Sequence, residues 1–263
     1  IQCGECVRDC PYSVIELRGD VPVIAHGREE KCIRCQHCLA VCPTGALSIL
    51  GKDPVNSVAL AGNLPTAAQM ETLIKGRRSV RWYEPEPIAA DVIAHLLDVV
   101  AHGPTGINNR RVLFTVIEDQ ETMRTLRQET MTGIRRAVEE KRLPAGLEFY
   151  EQLLGAWDAG RDIIFRDAPH LLAVSAPQGG PSPEQDTVIA LAYFELLACS
   201  AGLGTLWDGL AKWALTAILP DMPAKLGIPE HHLLGYMMLF GKPAVRYHRT
   251  VQRGEPRVNR VRW

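Results

Sequence analysis

The chain has 263 residues, 46% of them hydrophobic, and a formal net charge of -1. That is enough length for two domains and enough apolar content for a sizeable core, while near-neutral charge argues against a general nucleic-acid binder. No run of 18 apolar residues and no charged, then apolar, then small-residue leader occurs within these residues, so a membrane span is not expected, a leader ahead of Ile1 stays open, and the cytoplasm is the expected address.

The first element in chain order is a repeat. Sliding the sequence by 32 residues lays Cys3, Cys6, Cys10 and Pro11 over Cys35, Cys38, Cys42 and Pro43. The second copy, from Cys32 to Pro43, is a complete C-x2-C-x2-C-x3-C-P run, the pattern by which thiolates hold a [4Fe-4S] core. The position matching Cys32 falls one residue before Ile1, and a cysteine is expected there. A disulfide framework or paired zinc sites would be the alternatives, but runs of three cysteines followed by proline suit cubanes better than tetrahedral zinc. In two-cluster proteins the last cysteine of each run crosses to the other cluster. One site is then expected from Cys32, Cys35, Cys38 and Cys10, the other from Cys3, Cys6, Cys42 and the preceding residue. Strands are expected at Tyr12 to Leu17 and Ala46 to Leu50, with Gly19-Asp20 turning into a strand from Val21 to Ala25. Residues 1–54 resemble the bacterial two-cluster ferredoxins. Cys199, alone in an apolar run, reads as a buried small hydrophobe, and His37, between two ligands, as a residue that tunes the cluster's surroundings.

A linker is expected over residues 55–70 and a second domain over 71–263. The apolar spacing predicts helices at Ile88 to His102, Glu121 to Arg142, Gly146 to Asp167, Glu184 to Ala201, Leu210 to Leu219 and Pro223 to Leu226. Strands are predicted at Val112 to Glu118, Leu171 to Ser175 and Leu233 to Phe240. Helices flanking a few strands make an α+β class. No G-x-G-x-x-G follows a strand, so a Rossmann dinucleotide site is not expected. From Lys242 to Trp263, seven basic side chains (Lys242, Arg246, Arg249, Arg253, Arg257, Arg260 and Arg262) stand against Glu255 alone, a tail able to meet a phosphate.

Three segments of this domain bear chemistry. Gly76-Arg77-Arg78-Ser79-Val80-Arg81 can bracket a phosphate and a polyol. Gly103 to Arg110 is a loop of turn formers with amide groups to bond a ring edge. Gly202 to Gly209, Gly-Leu-Gly-Thr-Leu-Trp-Asp-Gly, lets backbone N–H groups approach a ligand closely. In this order the three resemble the FMN-dependent nitroreductase family, with its R-R-S-x-R, P-[ST]-x-x-N and G-L-G-[TS]-x-W elements, over about residues 71–250. The resemblance implies that Arg77, Arg78, Ser79 and Arg81 contact the FMN phosphate and ribityl chain. It implies that Pro104, Thr105, Gly106 and Asn108 face the flavin from a partner subunit, that Leu203, Gly204 and Thr205 present backbone to its reactive edge, and that Arg249 closes on the phosphate, with Arg253 as substitute. Arg110-Arg111 stands where the family often has Gln-Pro. The implied assembly is a homodimer with the long helix at its centre.

The expected function is an FMN-dependent oxidoreductase that passes electrons from its own two [4Fe-4S] clusters to flavin and on to a small electron-poor acceptor of nitroaromatic or quinone type. No side chain is required as a catalytic nucleophile. The expected donor is reduced ferredoxin or a redox partner protein, with NAD(P)H as the competing choice. No nucleic-acid or membrane partner is expected. The rival readings are a non-enzymatic relay or redox sensor and another chemistry of the superfamily, such as dehalogenation.

Overall fold

The computed structural model describes residues 1–263. It divides into two compact units, Ile1–Thr66 together with Ile107–Asn109, and Ala67–Gly106 together with Arg110–Trp263. No helix is long and apolar enough to cross a membrane.

The first unit carries the sequence repeat into its backbone. Helix α1 (Glu5–Arg8) and helix α2 (His37–Ala40) begin 32 residues apart, each preceded by a left-handed residue, Gly4 at φ 68° and Gln36 at φ 61°. The same offset relates Gln2 and Arg34 (φ 52° and 57°), Ser13 and Gly45 (50° and 62°), and Gly19 and Gly51 (61° and 70°). Turns that tight are conformationally costly for non-glycine residues, so their recurrence shows that one local geometry is built twice. Strands β1 (Ile15–Arg18) and β2 (Val21–Ile24) form the expected hairpin, Ile15 opposite Ile24. The strand expected at Ala46 to Leu50 does not form. That stretch is reduced to a bridge between Ile49 and Lys52, because the turn through Leu50 (φ 55°) and Gly51 reverses the chain at once. The core here is small, centred on Cys6, Ile15 and Cys38, as expected of a segment that relies on ligation for folding energy.

The second unit begins with α3 (Ala67–Gly76), a helix that starts within the last four residues of the expected linker. Helix α4 (Ala90–Val100) buries Ile93, Leu96 and Val100 on one stripe, and strand β3 (Leu113–Ile117) follows. Helix α5 (Gln120–Glu139) is capped by Asp119, whose Oδ1 accepts from Thr122 N at 2.7 Å. Helix α6 (Tyr150–Asp158) is much shorter than the expected Gly146 to Asp167. Gly160 (φ 76°) ends it, and the Asp162 carboxylate accepts from the N–H groups of Phe165 (2.8 Å) and Asp167 (3.2 Å), offering the backbone partners other than a helix.

Then come β4 (His170–Pro177), α7 (Pro183–Ser200), β5 (Gly204–Trp207), α8 (Gly209–Trp213), a π-helical turn at Ala214–Ile218, α9 (Met222–Lys225) and β6 (His232–Gly241). The four strands form a sheet ordered β3-β4-β6-β5 with every pairing antiparallel. Strand β4 is buried at all eight positions, the signature of a strand covered on both faces. Alternate residues serve opposite cores. Leu171, Ala173, Met237 and Leu239 pack with α5, α6 and the turn after α8. Leu172, Val174, Met238 and Phe240 pack with α4 and α7. The result is a sheet between two helical layers, the α+β class expected.

Candidate functional site

Two cavities, one in each unit, each collect four of the ligand or cofactor contacts singled out by the sequence. In the first unit, Cys10, Cys32, Cys35 and Cys38 line one cavity, roofed by apolar side chains that include Val14, Ile15, Ile33 and Ile49. The structure therefore brings the final cysteine of the first run to the first three of the second, while Cys42 lies outside that lining. The local chain explains the placement. Pro11 and Pro43 end the helical turns, and the N–H four residues beyond each last cysteine donates to its sulfur, Val14 N to Cys10 Sγ and Ala46 N to Cys42 Sγ, both at 3.2 Å.

The electrostatics differ between the sulfurs. Burial pushes the Cys38 thiol up, and the neighbouring Cys35 and Cys10 push it further than the Leu39 amide can offset. At Cys42 burial also raises the pKa, but hydrogen bonds from Ala46 and Thr44 outweigh it and hold the thiol below its ordinary value. Thr44 Oγ1 lies 3.8 Å from that sulfur.

All eight cysteines are free of disulfides, which excludes a crosslinked framework in this structure. No set of three or more cysteine, histidine or acidic side chains is drawn together as a single metal ion requires. Four thiolates on one tetrahedral zinc would lie about 3.8 Å apart. A four-iron cubane takes one thiolate to each iron, and four cysteines lining one cavity among apolar side chains supply the donor set that group needs. His37 approaches Asp9 (Nδ1 to Oδ2, 3.3 Å) and lines the same cavity, in keeping with a tuning role and not a ligand's.

In the second unit a cavity of ≈ 580 Å³ opens between the end of α3, the start of β5 and the chain after β6, within the size range of small-molecule sites. Of the residues expected to hold a cofactor, Arg78, Leu203, Gly204 and Thr205 line it. The Arg-Arg-Ser element is held there by the sheet, since Val80 N donates to Thr205 O at 2.9 Å and Ser79 pairs with Thr205 in parallel register. A side chain on Gly204 would place its Cβ 2.7 to 2.9 Å from the Val80 side chain. Glycine is required here by close approach and not by φ.

The other expected contacts are placed differently. Arg77 donates to Glu195 Oε1 at 3.1 Å, a half-buried ion pair that ties the element to α7. Arg81 Nη1 donates to the Ser79 carbonyl at 3.3 Å, and Arg249 is exposed in the tail, outside the cavity. Pro104 and Thr105 border a separate cavity of ≈ 70 Å³. Gly106 N donates to Asp186 Oδ1 at 2.8 Å, and Asn108 is counted with the first unit.

Lys242, Arg246, Tyr247 and Cys199, none of them among the expected cofactor contacts, also reach the large cavity. The run of positive charge after β6 was the available signal for the first two, but only the pairing of β5 with β6 decides that Lys242 and Arg246, and not Arg249, come to the Gly204 backbone. Lys242 is paired with Glu84 at 2.5 Å. Arg246 adds a second guanidinium to that of Arg78, so the chemistry of the donor set suits an oxyanion beside a hydrogen-bonding backbone edge.

Comparison with known proteins agrees with this division. Residues 74–242 match the Nitroreductase family model, and residues 1–46 match that of the 4Fe-4S dicluster domain. A ferredoxin of Methanothermococcus thermolithotrophicus is 44% identical over 48 residues, 18% of this chain and 77% of that protein. Among solved structures, a nitroreductase with bound FMN from Bacteroides fragilis superposes with a TM-score of 0.59 at 22% identity, covering 74% of this chain and 100% of the other. An iodotyrosine deiodinase bound to FMN and 3-iodo-L-tyrosine gives 0.53 at 20% identity, covering 72% and 97%. At such identities the structural likeness speaks for the fold.

Proposed function

The chain belongs to the nitroreductase family, with a ferredoxin-type cluster segment in the same polypeptide, and from that premise we propose an FMN-dependent oxidoreductase fed by its own iron–sulfur clusters. The observation that carries this reading is the ≈ 580 Å³ cavity, where the Arg-Arg-Ser element and the Gly-Leu-Gly-Thr backbone of the family domain meet. When bound, the clusters supply single electrons and the flavin supplies the exchange between single and paired transfer.

The chain's own residues then bind and orient. Arg78 and Arg246 hold the cofactor phosphate, while Lys242 lines the same cavity with its charge offset by Glu84. Arg77 acts through Glu195, fixing the approach of the element to α7. Backbone N–H groups at Gly204 and Thr205 meet the ring edge where negative charge accumulates on reduction. In the cluster unit, Cys10 joins Cys32, Cys35 and Cys38 around one cluster, and Cys3, Cys6 and Cys42 serve the other. The homodimer is supported by α7, which leaves Val188 and Tyr193 exposed on the single chain, and by the Pro104–Thr105 loop bordering a cavity that shares no lining residue with the larger one. The acceptor is a small electron-poor ring of nitroaromatic or quinone type, the donor a reduced ferredoxin or redox protein, and the working compartment the cytoplasm.

The test is an anaerobic purification with iron and FMN counted, followed by reduction with NADPH and with reduced ferredoxin in turn while flavin bleaching is followed. One FMN, four-iron absorbance and bleaching by reduced ferredoxin are expected. Zinc in place of iron, or no flavin, would defeat the reading. Fast bleaching by NADPH in a variant with the cluster cysteines changed to alanine would show that electrons need not pass through the clusters.

A further inference from the structure

The side chain of Asn108 is engaged on a cluster-ligand turn. Its Nδ2 donates to the Ile33 carbonyl oxygen at 2.8 Å. Ile33 lies inside the Cys32-Ile33-Arg34-Cys35 turn and itself lines the cavity shared by Cys10, Cys32, Cys35 and Cys38. The next residue, Arg34, is left-handed at φ 57°, so the peptide between Ile33 and Arg34 sits in an unfavoured turn, and an outside donor to its carbonyl fixes the plane of that peptide.

The segment that supplies the donor is itself strained. Ile107 has φ 48° and ψ 27°, Asn108 φ 56° and Arg110 φ 51°. A β-branched residue in the left-handed region is an outlier, and such conformations persist only where their surroundings over-determine them. Here Gly106 N is held by Asp186 Oδ1 at 2.8 Å and Arg110 N by Thr105 Oγ1 at 2.9 Å, on either side of the bond from Asn108.

We propose that Asn108 is a positioning residue for the cluster held by Cys10, Cys32, Cys35 and Cys38, raising that cluster's reduction potential and leaving the other cluster's unchanged. The physical cause is the amide donor. Its positive end lies on the ligand turn and lowers the free energy of the more negative, reduced cluster, since hydrogen bonding and local charge set the potential of such centres. The inference rests on the cysteine assignment proposed above.

The experiment is an anaerobic redox titration followed by electron paramagnetic resonance on the full chain, comparing wild type, Asn108→Ala, Asn108→Gln and Cys32→Ala. Cys32→Ala identifies which signal belongs to this cluster. If it alters neither signal, the cysteine assignment fails and the inference falls with it, an outcome distinct from an unmoved potential in Asn108→Ala. Given that assignment, Asn108→Ala is expected to move this cluster's midpoint potential to a more negative value and alter its line shape, with the second cluster unchanged. Asn108→Gln, which keeps a donor on a longer arm, is expected to fall between. Should Asn108→Ala lose iron, loss of this cluster's signal alone supports the proposal. Unchanged potentials, equal shifts in both clusters, or loss of both signals together would overturn it.

Discussion

Replacing Gly204 by alanine tests whether the large cavity is built by close packing of β5 on the Arg-Arg-Ser element. The backbone of Gly204 is not left-handed, so alanine meets no conformational penalty of its own. The obstacle is steric. The new methyl carbon would stand 2.7 Å from Val80 Cγ2, 2.8 Å from its Cβ and 2.9 Å from its Cγ1. Val80 is 4% exposed and hydrogen-bonded through its N–H to Thr205 O, so it cannot swing away without moving the strand segment that carries Arg77 to Arg81. Overpacking of this kind costs about 1–3 kcal/mol. For a unit of this size that is a fall in Tm of roughly 2–12 °C. Because the displaced segment bears Arg78, FMN should also be held less tightly. Thermal unfolding by circular dichroism and flavin content after gel filtration measure the two effects. Shortening Val80 in the same molecule removes the clash, so Gly204→Ala combined with Val80→Ala should be less damaging than the sum of the single changes, with a coupling of about 0.5–3 kcal/mol. A Gly204→Ala protein that melts with wild type and keeps a full complement of flavin would refute the packing argument.

Two further outcomes are expected. Cys42→Ala should remove one four-iron signal while the cluster served by Cys10 survives, and Cys10→Ala should remove the other. Low-temperature electron paramagnetic resonance distinguishes them, and a Cys42→Ala protein that loses the signal also lost in Cys35→Ala would show that the last cysteines do not cross. Asp208→Asn should change the pH dependence of stability. Asp208 is buried, its Oδ1 accepting from Ala211 N at 2.8 Å and its Oδ2 lacking a partner, and burial pushes its carboxyl up to about 7, with the charge of Asp162 adding to the rise. The folded state thus keeps a proton that the unfolded chain releases at ordinary carboxylate pH, so its contribution is greatest at low pH and is lost as pH rises toward 7. Between about pH 5 and 7 the variant should gain on wild type by up to about 1.4 kcal/mol per pH unit and then level off. Parallel stability profiles from chemical unfolding over that range would exclude an elevated Asp208 pKa.

What could be read from the chain alone is what local chemistry dictates. The cysteine spacing and the following prolines specify both cluster turns, and the 32-residue offset reappears in the backbone down to the left-handed residues at Gln36 and Ser13. The apolar run from Leu171 to Ser175 announced a strand, which the structure extends to His170–Pro177, and the Arg77–Arg81 and Gly202–Gly209 segments contribute Arg78 and Leu203 to Thr205 to the large cavity. Other features depend on residues distant in sequence. Gly204–Trp207 became a strand because β6 offered it hydrogen-bonding partners, and Ala67–Gly76 became a helix although none of its residues is fully buried. Pairing of β5 with β6 delivered Lys242 and Arg246 to the cavity while Arg249 stayed exposed. Arg77 found Glu195, 118 residues away, and Asn108 found Ile33, 75 residues away. A hydrogen bond between such residues leaves no period or spacing in the sequence, because its geometry exists only after the sheet and turns have brought the two backbones together.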